Sequence, residues 1–420
     1  MNDMTGTFSL AAQLQSAKLE EAGQPNIVPV GEIGFVFQIA GSSSQILIDL
    51  KSIEALARHS DPCIAMTGQV GSQVKMRLGQ MWIIANIRSM VLDRRDPTRV
   101  VADVDFLGEG NEEFGTGRII NFRRGVTRYP TPGTEIFPVS SADMDQIYAA
   151  SDTPHVQIGT IYPTSHTRAA LYVDAMLGKH FALLGSTGTG KSTSAALILH
   201  KICDLSPKGH IVMIDPHGEY SAAFTDNGAL YDASNLALPY WLMNFEEHCE
   251  VFVTTTGSER NIDSEILAKC LLAARAKNRA AEGMSRLTVD SPIPYLLSDL
   301  TTILSNEMGK LDKGTTSLPY MRLKSRIDEI KADPRYSFMF SGMLVGDTMQ
   351  EFIAKLFRLP SDGRPISIVD TSAMPSEITS VVVSVLSRLI FDYAIWARNE
   401  PKRPILLVCE EAHRYIPNTT

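Results

Sequence analysis

Gly185-Ser186-Thr187-Gly188-Thr189-Gly190-Lys191-Ser192-Thr193 is the stretch whose reading decides the fold. The apolar tetrapeptide Phe181-Ala182-Leu183-Leu184 precedes it, and Ser194-Ala195-Ala196-Leu197-Ile198-Leu199 follows with helical character. An apolar strand, the pattern GxxxxGK[ST] and a helix in that order form the context a phosphate-binding loop requires. Its glycines let the backbone curl so that successive N–H groups point at one anion, and the helix N-terminus adds the positive end of its dipole. In such a loop Lys191 meets the β- and γ-phosphates as a point charge, and Ser192 ligates Mg²⁺ through its hydroxyl. ATP and Mg²⁺ are therefore the expected cofactors. Gly185, Ser186, Thr187, Gly188, Thr189, Gly190, Lys191, Ser192 and Thr193 are the expected nucleotide contacts, with Lys191 also catalytic. A glycine-rich turn without a ligand would not need lysine and serine in this register.

A loop of this kind needs an acidic partner. Ile405-Leu406-Leu407-Val408-Cys409-Glu410-Glu411 reads as an apolar strand ending in two carboxylates. The C-terminal ends of strands in an open parallel sheet are where ligands bind. Adjacent residues on a strand point to opposite faces, so the two carboxylates take different roles. Glu410 is assigned to Mg²⁺, through water, and Glu411 to polarising the attacking water as general base. A third stretch, Ile211-Val212-Met213-Ile214-Asp215-Pro216-His217-Gly218-Glu219-Tyr220, again places carboxylates just past an apolar strand. Asp215 or Glu219 is an accessory candidate for the metal's water shell; a Pro/Gly turn with a capping Asp is an equal alternative. His217 and His413 are accessory candidates for sensing the γ-phosphate or touching a neighbouring subunit, although a lone histidine is more often a satisfied structural residue.

Working outward, apolar strands alternate with helix-length segments from about residue 158: Phe181–Leu184, Ile211–Asp215, Ile366–Asp370 followed by a helix over Ser376–Arg398, and Ile405–Cys409. That alternation predicts an α/β core with a mostly parallel sheet over 158–420, carrying a helical insertion at about 244–359. Residues 26–145 instead show short β-like runs split by Gly, Pro and Asp: Phe35–Ala40, Gln45–Leu50, Cys63–Thr67, Gln73–Leu78, Met81–Leu92, Arg99–Phe106 and Glu135–Val139. They predict an all-β small barrel or sandwich. Residues 1–25 read as a polar tail.

Of 420 residues, 44% are hydrophobic and 20% charged, ordinary values for a globular protein. The five cysteines are scattered and odd in number with no CxxC pair, which fits a reducing cytosol and gives no metal signature. A net charge of −8 excludes a general nucleic-acid-coating surface. The opening MNDMTGTFSL lacks the features of a signal peptide, and Val381–Trp396 is interrupted by Arg388 and Asp392, so it reads as a buried helix. The expectation is a soluble, cytoplasmic protein with no membrane partner.

Taken together, the phosphate loop Gly185–Ser192, the string Asp215-Pro216-His217-Gly218-Glu219-Tyr220 and Glu410-Glu411-Ala412-His413 resemble the HerA branch of the HerA/FtsK superfamily. The latter two strings are far more specific than the loop alone. The resemblance covers roughly residues 26–417 and implies a RecA/FtsK-like P-loop core behind an N-terminal barrel. It implies an ATP-driven ring motor, usually hexameric, that translocates or unwinds double-stranded DNA with a nuclease or other effector partner. In the family the core continues past the acidic strand with a sensor strand, an arginine finger and C-terminal helices. No residue here is assigned to those roles, so the resemblance implies a truncated core or one that is crippled on its own. The alternatives are a nucleotide-dependent oligomeric scaffold that recruits an effector, or a protein-translocating ATPase.

One further feature bears on the choice. Lys269, Arg275, Lys277, Arg279 and Arg286 stand against the single acid Glu282 on a predicted helix. They are a candidate phosphate track in a ring pore, set against a solvated helix face.

Overall fold

The structure is a computed structural model and describes residues 31–40, 44–284, 286–311, 316–346, 348–399 and 404–415. The expected tail, residues 1–25, lies outside them. The chain divides into two compact units, Met1–Leu171 and Tyr172–Thr420.

In the first unit seven antiparallel strands run in the order β2-β1-β7-β3-β4-β5-β6. They are β1 (Gly34–Gln38), β2 (Ser44–Asp49), β3 (Gln73–Leu78), β4 (Met81–Leu92), β5 (Arg99–Glu112), β6 (Ile119–Arg124) and β7 (Glu135–Pro138). A second pairing, β2 with β5, joins the ends of six of them, so the sheet is a closed barrel and not a sandwich. Alternation explains the inside: Val74 and Met76 point inward from β3 beside Ile46, Ile48, Ile83, Ala85, Ala102 and Val104, all buried. Lys75 points the other way, over the Trp82 ring, and pairs at 2.8 Å with the buried Asp143.

Two expectations here need correction. Cys63–Thr67 is not a strand; Pro62–Ala65 is a short helix. Pro62 supplies a preset φ at the first helical position, and the Asp61 carboxylate caps the Cys63 N–H at 2.9 Å. The expected strand Arg99–Phe106 continues to Glu112 and carries β6 on its far edge, because Gly108 and Gly110 let β6 approach closely. Beyond the barrel, β8 (His155–Thr160) and β9 (Arg168–Tyr172) form a two-stranded sheet.

The second unit is built on a four-stranded parallel sheet in the order β11-β12-β10-β13. Its strands are β10 (His210–Asp215), β11 (Gly228–Tyr231), β12 (Ile366–Asp370) and β13 (Ile405–Cys409). β10 and β12 are buried almost throughout, as strands covered on both faces must be. Register aligns their ends: Asp215 lies opposite Asp370, and Ile214 opposite Cys409. Phe181–Leu184, expected as a strand, is not one among these residues; it pairs with no neighbour, and Leu184 is 90% exposed. Four apolar residues have strand propensity, but a strand exists only where its backbone finds a ladder.

Helices Phe245–Phe252, Gly257–Ala276, Leu297–Gly309, Leu318–Ala332 and Met349–Leu356 lie between β11 and β12 and share one core with helix Ser376–Trp396. By length and composition Ser376–Asn399 would be apolar enough to cross a membrane. Ile378, Val382, Val385, Leu386 and Leu389 on it are buried in that core, and its Arg388 donates to Glu247 at 2.9 Å and to the Leu242 carbonyl.

The basic run is partly paired within the unit. Arg275 is fully buried and donates to the carbonyls of Val289, Ser291, Trp241 and Met243. Lys269 pairs with Glu307, and Lys277 with Asp299 at 2.8 Å. Three of the five cations therefore have partners within the unit, but only Arg275 is withdrawn from the surface; the Lys269 and Lys277 side chains stay 69% and 48% exposed. Replacing Arg275 by Met strands four carbonyl acceptors and should lower stability by about 3 kcal/mol. The exposed Arg279→Ala should stay within about 0.5 kcal/mol. Urea unfolding followed by helix signal measures both, and equal small losses would overturn the buried-anchor account.

Candidate functional site

The loop that opens the site is shaped by backbone conformations few residues adopt. Gly188 and Gly190 have φ of 82° and 86°, in the left-handed region. Gly190 then caps helix Lys191–Leu205, whose first N–H groups have no partner in the helix. Inside the loop the Thr189 hydroxyl donates to the Ser186 carbonyl at 2.7 Å. The Lys191 ammonium bends over the loop and donates to the same carbonyl at 3.3 Å. Gly185, Ser186 and Thr187 lie exposed at the rim, and Thr193 is exposed on the first turn of the helix.

The helix is fastened so that its first turn faces the sheet ends. Ala195, Ile198, Leu199, Ile202 and Cys203 are buried along one face, and the His200 ring stacks on Phe224 at 4.2 Å. This brings the Ser192 hydroxyl to 3.4 Å from Glu410 Oε1, the contact that joins the loop to the acidic strand end.

Glu410 and Glu411 lie just past β13, in a turn. The Glu410 N–H extends the ladder to the Ile214 carbonyl at 3.1 Å, while Glu411 turns into the left-handed region at φ 48°. The two carboxylates are thus separated by a turn and not, as expected, by strand alternation. A non-glycine residue held at such a φ is strained, and such strain concentrates at functional sites. Glu411 Oε2 lies 3.1 Å from His413 Nδ1, on a mostly exposed imidazole.

Asp215 is buried at the end of β10. Its carboxylate accepts the N–H groups of His217 at 3.1 Å, Gly218 at 2.9 Å and Tyr220 at 2.9 Å. With its oxygens committed to backbone, Asp215 holds the turn, the alternative the sequence left open. Gly218 sits against Asp370, where an added Cβ would lie 2.9 Å from Asp370 Oδ2. His217 and Glu219 are exposed on the same turn.

Two tyrosines that the sequence reading does not assign complete the cluster. Tyr415 donates from its hydroxyl to the Glu410 carbonyl at 2.9 Å. Tyr220 is 2% exposed, and its hydroxyl faces Ser192 and Glu410 without meeting hydrogen-bond geometry with any partner among the described residues. Burial, and then the Glu410 charge, push the Tyr220 phenol above its ordinary pKa, so it stays a proton donor. The one available signal is Tyr220's place at the end of the Asp-Pro-His-Gly-Glu-Tyr string.

The donors fit a hard cation that arrives with phosphates. Mg²⁺ takes oxygen ligands and is commonly held by one or two carboxylates plus substrate phosphates. Ser192 and Glu410 supply a hydroxyl and a carboxylate side by side. No cluster of three or more His, Cys, Asp or Glu side chains able to hold a metal occurs among the described residues.

The family model described as "Helicase HerA, central domain" matches residues 156–390. A DNA double-strand break repair helicase HerA of Pyrococcus furiosus is 34% identical over 118 residues, 27% of this chain and 21% of that protein. Another of Sulfolobus acidocaldarius is 23% identical over 297 residues, 69% of this chain and 54% of that protein. The chain thus spans between about a fifth and a half of the length of these relatives. Among solved structures, VirB4 of Thermoanaerobacter pseudethanolicus aligns with a TM-score of 0.41 at 13% identity, covering 64% of this chain and 70% of that one. The matched span runs from β8 into helix Ser376–Trp396, takes in the phosphate loop and the Asp215 turn, and exceeds half of the chain, which belongs to the HerA helicase family.

Proposed function

We propose that the chain is an ATP-binding and ATP-hydrolysing motor of the HerA type with a RecA/FtsK-like core. The observation that carries this reading is the 3.4 Å approach of Ser192 to Glu410, which joins a glycine-shaped anion loop to an acidic strand end across 218 residues of sequence. The loop N–H groups and the dipole of helix Lys191–Leu205 bind the phosphates. Lys191 exchanges the Ser186 carbonyl for the β- and γ-phosphate oxygens. Ser192 and Glu410 hold Mg²⁺, directly and through water. When bound, Mg²⁺ neutralises charge that develops on the β- and γ-oxygens. Glu411 orients the attacking water and accepts its proton as the water oxygen bonds to the γ-phosphorus and the bond to the ADP oxygen breaks. His413, beside Glu411, and His217 sense the γ-phosphate or touch a neighbouring subunit, and Glu219, exposed on the Asp215 turn, is available to the metal's water shell.

The double-stranded DNA substrate, the homo-oligomeric ring, the nuclease or effector partner and a cytoplasmic setting are part of the proposal. The DNA reading is supported by relatives named as DNA double-strand break repair helicases. The ring reading is supported by chemistry: an arginine finger can contribute about 10³- to 10⁵-fold to phosphoryl transfer, and no arginine is placed at the loop among the described contacts. A neighbour in a head-to-tail ring would supply it.

Three outcomes test the reading. Lys191→Ala should abolish detectable ATP hydrolysis and strongly weaken nucleotide binding in a folded protein; unchanged turnover would show that this loop is not the site. Glu411→Gln should leave binding near normal and slow hydrolysis by about 10²- to 10⁴-fold, whereas Glu410→Gln should weaken the Mg²⁺ dependence of binding. Exchanged phenotypes would reverse the two roles. Finally, ATPase activity per subunit should rise with protein concentration and with added double-stranded DNA. Sedimentation across a dilution series, run beside the ATPase assay, measures assembly, and a monomer with flat specific activity would sink the shared-site ring.

A further inference from the structure

We propose that Tyr220 is a positioning residue for the metal–nucleotide site: its hydroxyl orients the Glu410 carboxylate and the Ser192 hydroxyl once metal and phosphates are bound. The inference rests on the nucleotide-site reading above and adds a residue to it.

The argument starts from an imbalance. Tyr220 is 2% exposed, and its hydroxyl has no hydrogen-bond partner among the described residues. A buried polar atom left without a partner costs about 1–3 kcal/mol. Native structures keep such atoms rarely, and each needs a reason. Packing does not supply one, since phenylalanine would fill the same space without the hydroxyl. The ring is not free to seek another partner either. Its backbone N–H is held by Asp215 Oδ2 at 2.9 Å, in a turn that the same carboxylate fixes at His217 and Gly218. The groups the hydroxyl faces are Ser192 and Glu410, which approach each other at 3.4 Å, the long end of a hydrogen bond.

The chemistry then follows. With a cation held by Ser192 Oγ and Glu410, the Ser192 hydroxyl would no longer donate to the carboxylate. One Glu410 oxygen would then be left with acceptor capacity facing the phenol. A phenol donating to a carboxylate fixes the carboxylate's rotation and gives an outer contact of the kind that orients metal ligands. The hydroxyl thus gains its partner only in the loaded state, and its cost in the free protein is recovered as metal-dependent affinity.

This separates Tyr220 from a structural tyrosine in a measurable way. In Tyr220→Phe the free protein should melt at the same temperature as the wild type or higher, because an unsatisfied group has been removed. ADP affinity in EDTA should be unchanged. The MgCl₂ concentration that gives half-maximal ADP binding should rise about tenfold, the loss of one charge-assisted hydrogen bond. Combined with Glu410→Gln, the second substitution should add little, since both act through one contact. Wild-type protein whose ADP binding does not respond to MgCl₂ would overturn the nucleotide-site reading and this inference with it. A normal wild-type response that Tyr220→Phe leaves unshifted would overturn the tyrosine alone. A Tyr220→Phe protein that is destabilised or unfolded in the absence of ligand would assign the hydroxyl a purely structural role and overturn it equally.

Discussion

The buried carboxylate of Asp215 is the constraint on which the site depends. It sits at the end of a strand buried on both faces, with three backbone N–H groups converging on its two oxygens. A carboxylate at that depth is tolerable only when its acceptors are filled, and here the chain fills them by wrapping around it. The turn so formed has no freedom to drift, and everything it carries is placed: Gly218 against Asp370, and the Tyr220 hydroxyl beside Ser192 and Glu410. Removing that carboxylate would release a turn, three N–H groups and one wall of the site together.

The sheet supplies the rest of the geometry through register. Because β10 pairs in parallel with both β12 and β13, their last residues fall in line, and Asp215, Asp370 and Glu410 come to one edge although they are far apart in sequence. The helices between β11 and β12 then need their own anchor, since they share a core with the helix that follows β12. Two cations provide it. Arg275 donates to four carbonyls, and Arg388 ties helix Ser376–Trp396 to Glu247, whose carboxylate also caps helix Phe245–Phe252. Arg275 sits where the sequence reading allows a solvated helix face.

Much of this is legible in the residues. The phosphate loop, β12 and β13 carry signals of fixed spacing, and the strands Ile366–Asp370 and Ile405–Cys409 lie where apolar runs stop at an acid. The barrel strands are legible because one buried face imposes alternation. What escapes depends on partners that are remote in sequence. Phe181–Leu184 has the composition of a strand but no ladder. Cys63–Thr67 looks β-like until its Asp61-Pro62 cap is considered. The basic run from Lys269 reads as free charge because Glu307, Asp299 and the carbonyls that accept from it lie elsewhere in the chain. Tyr220 carries no chemistry by type; only its burial beside an acid marks it.

Lys191 gives one more consequence. Its ammonium is already bound to the Ser186 carbonyl, so an arriving phosphate does not meet a bare cation. It displaces an internal acceptor, and the loop in effect competes with its own ligand. The strength of that self-contact enters every nucleotide affinity as a fixed deduction, equal for all anions that reach the loop. On the proposed reading, discrimination among them falls to groups other than Lys191, such as Glu410 beside Ser192.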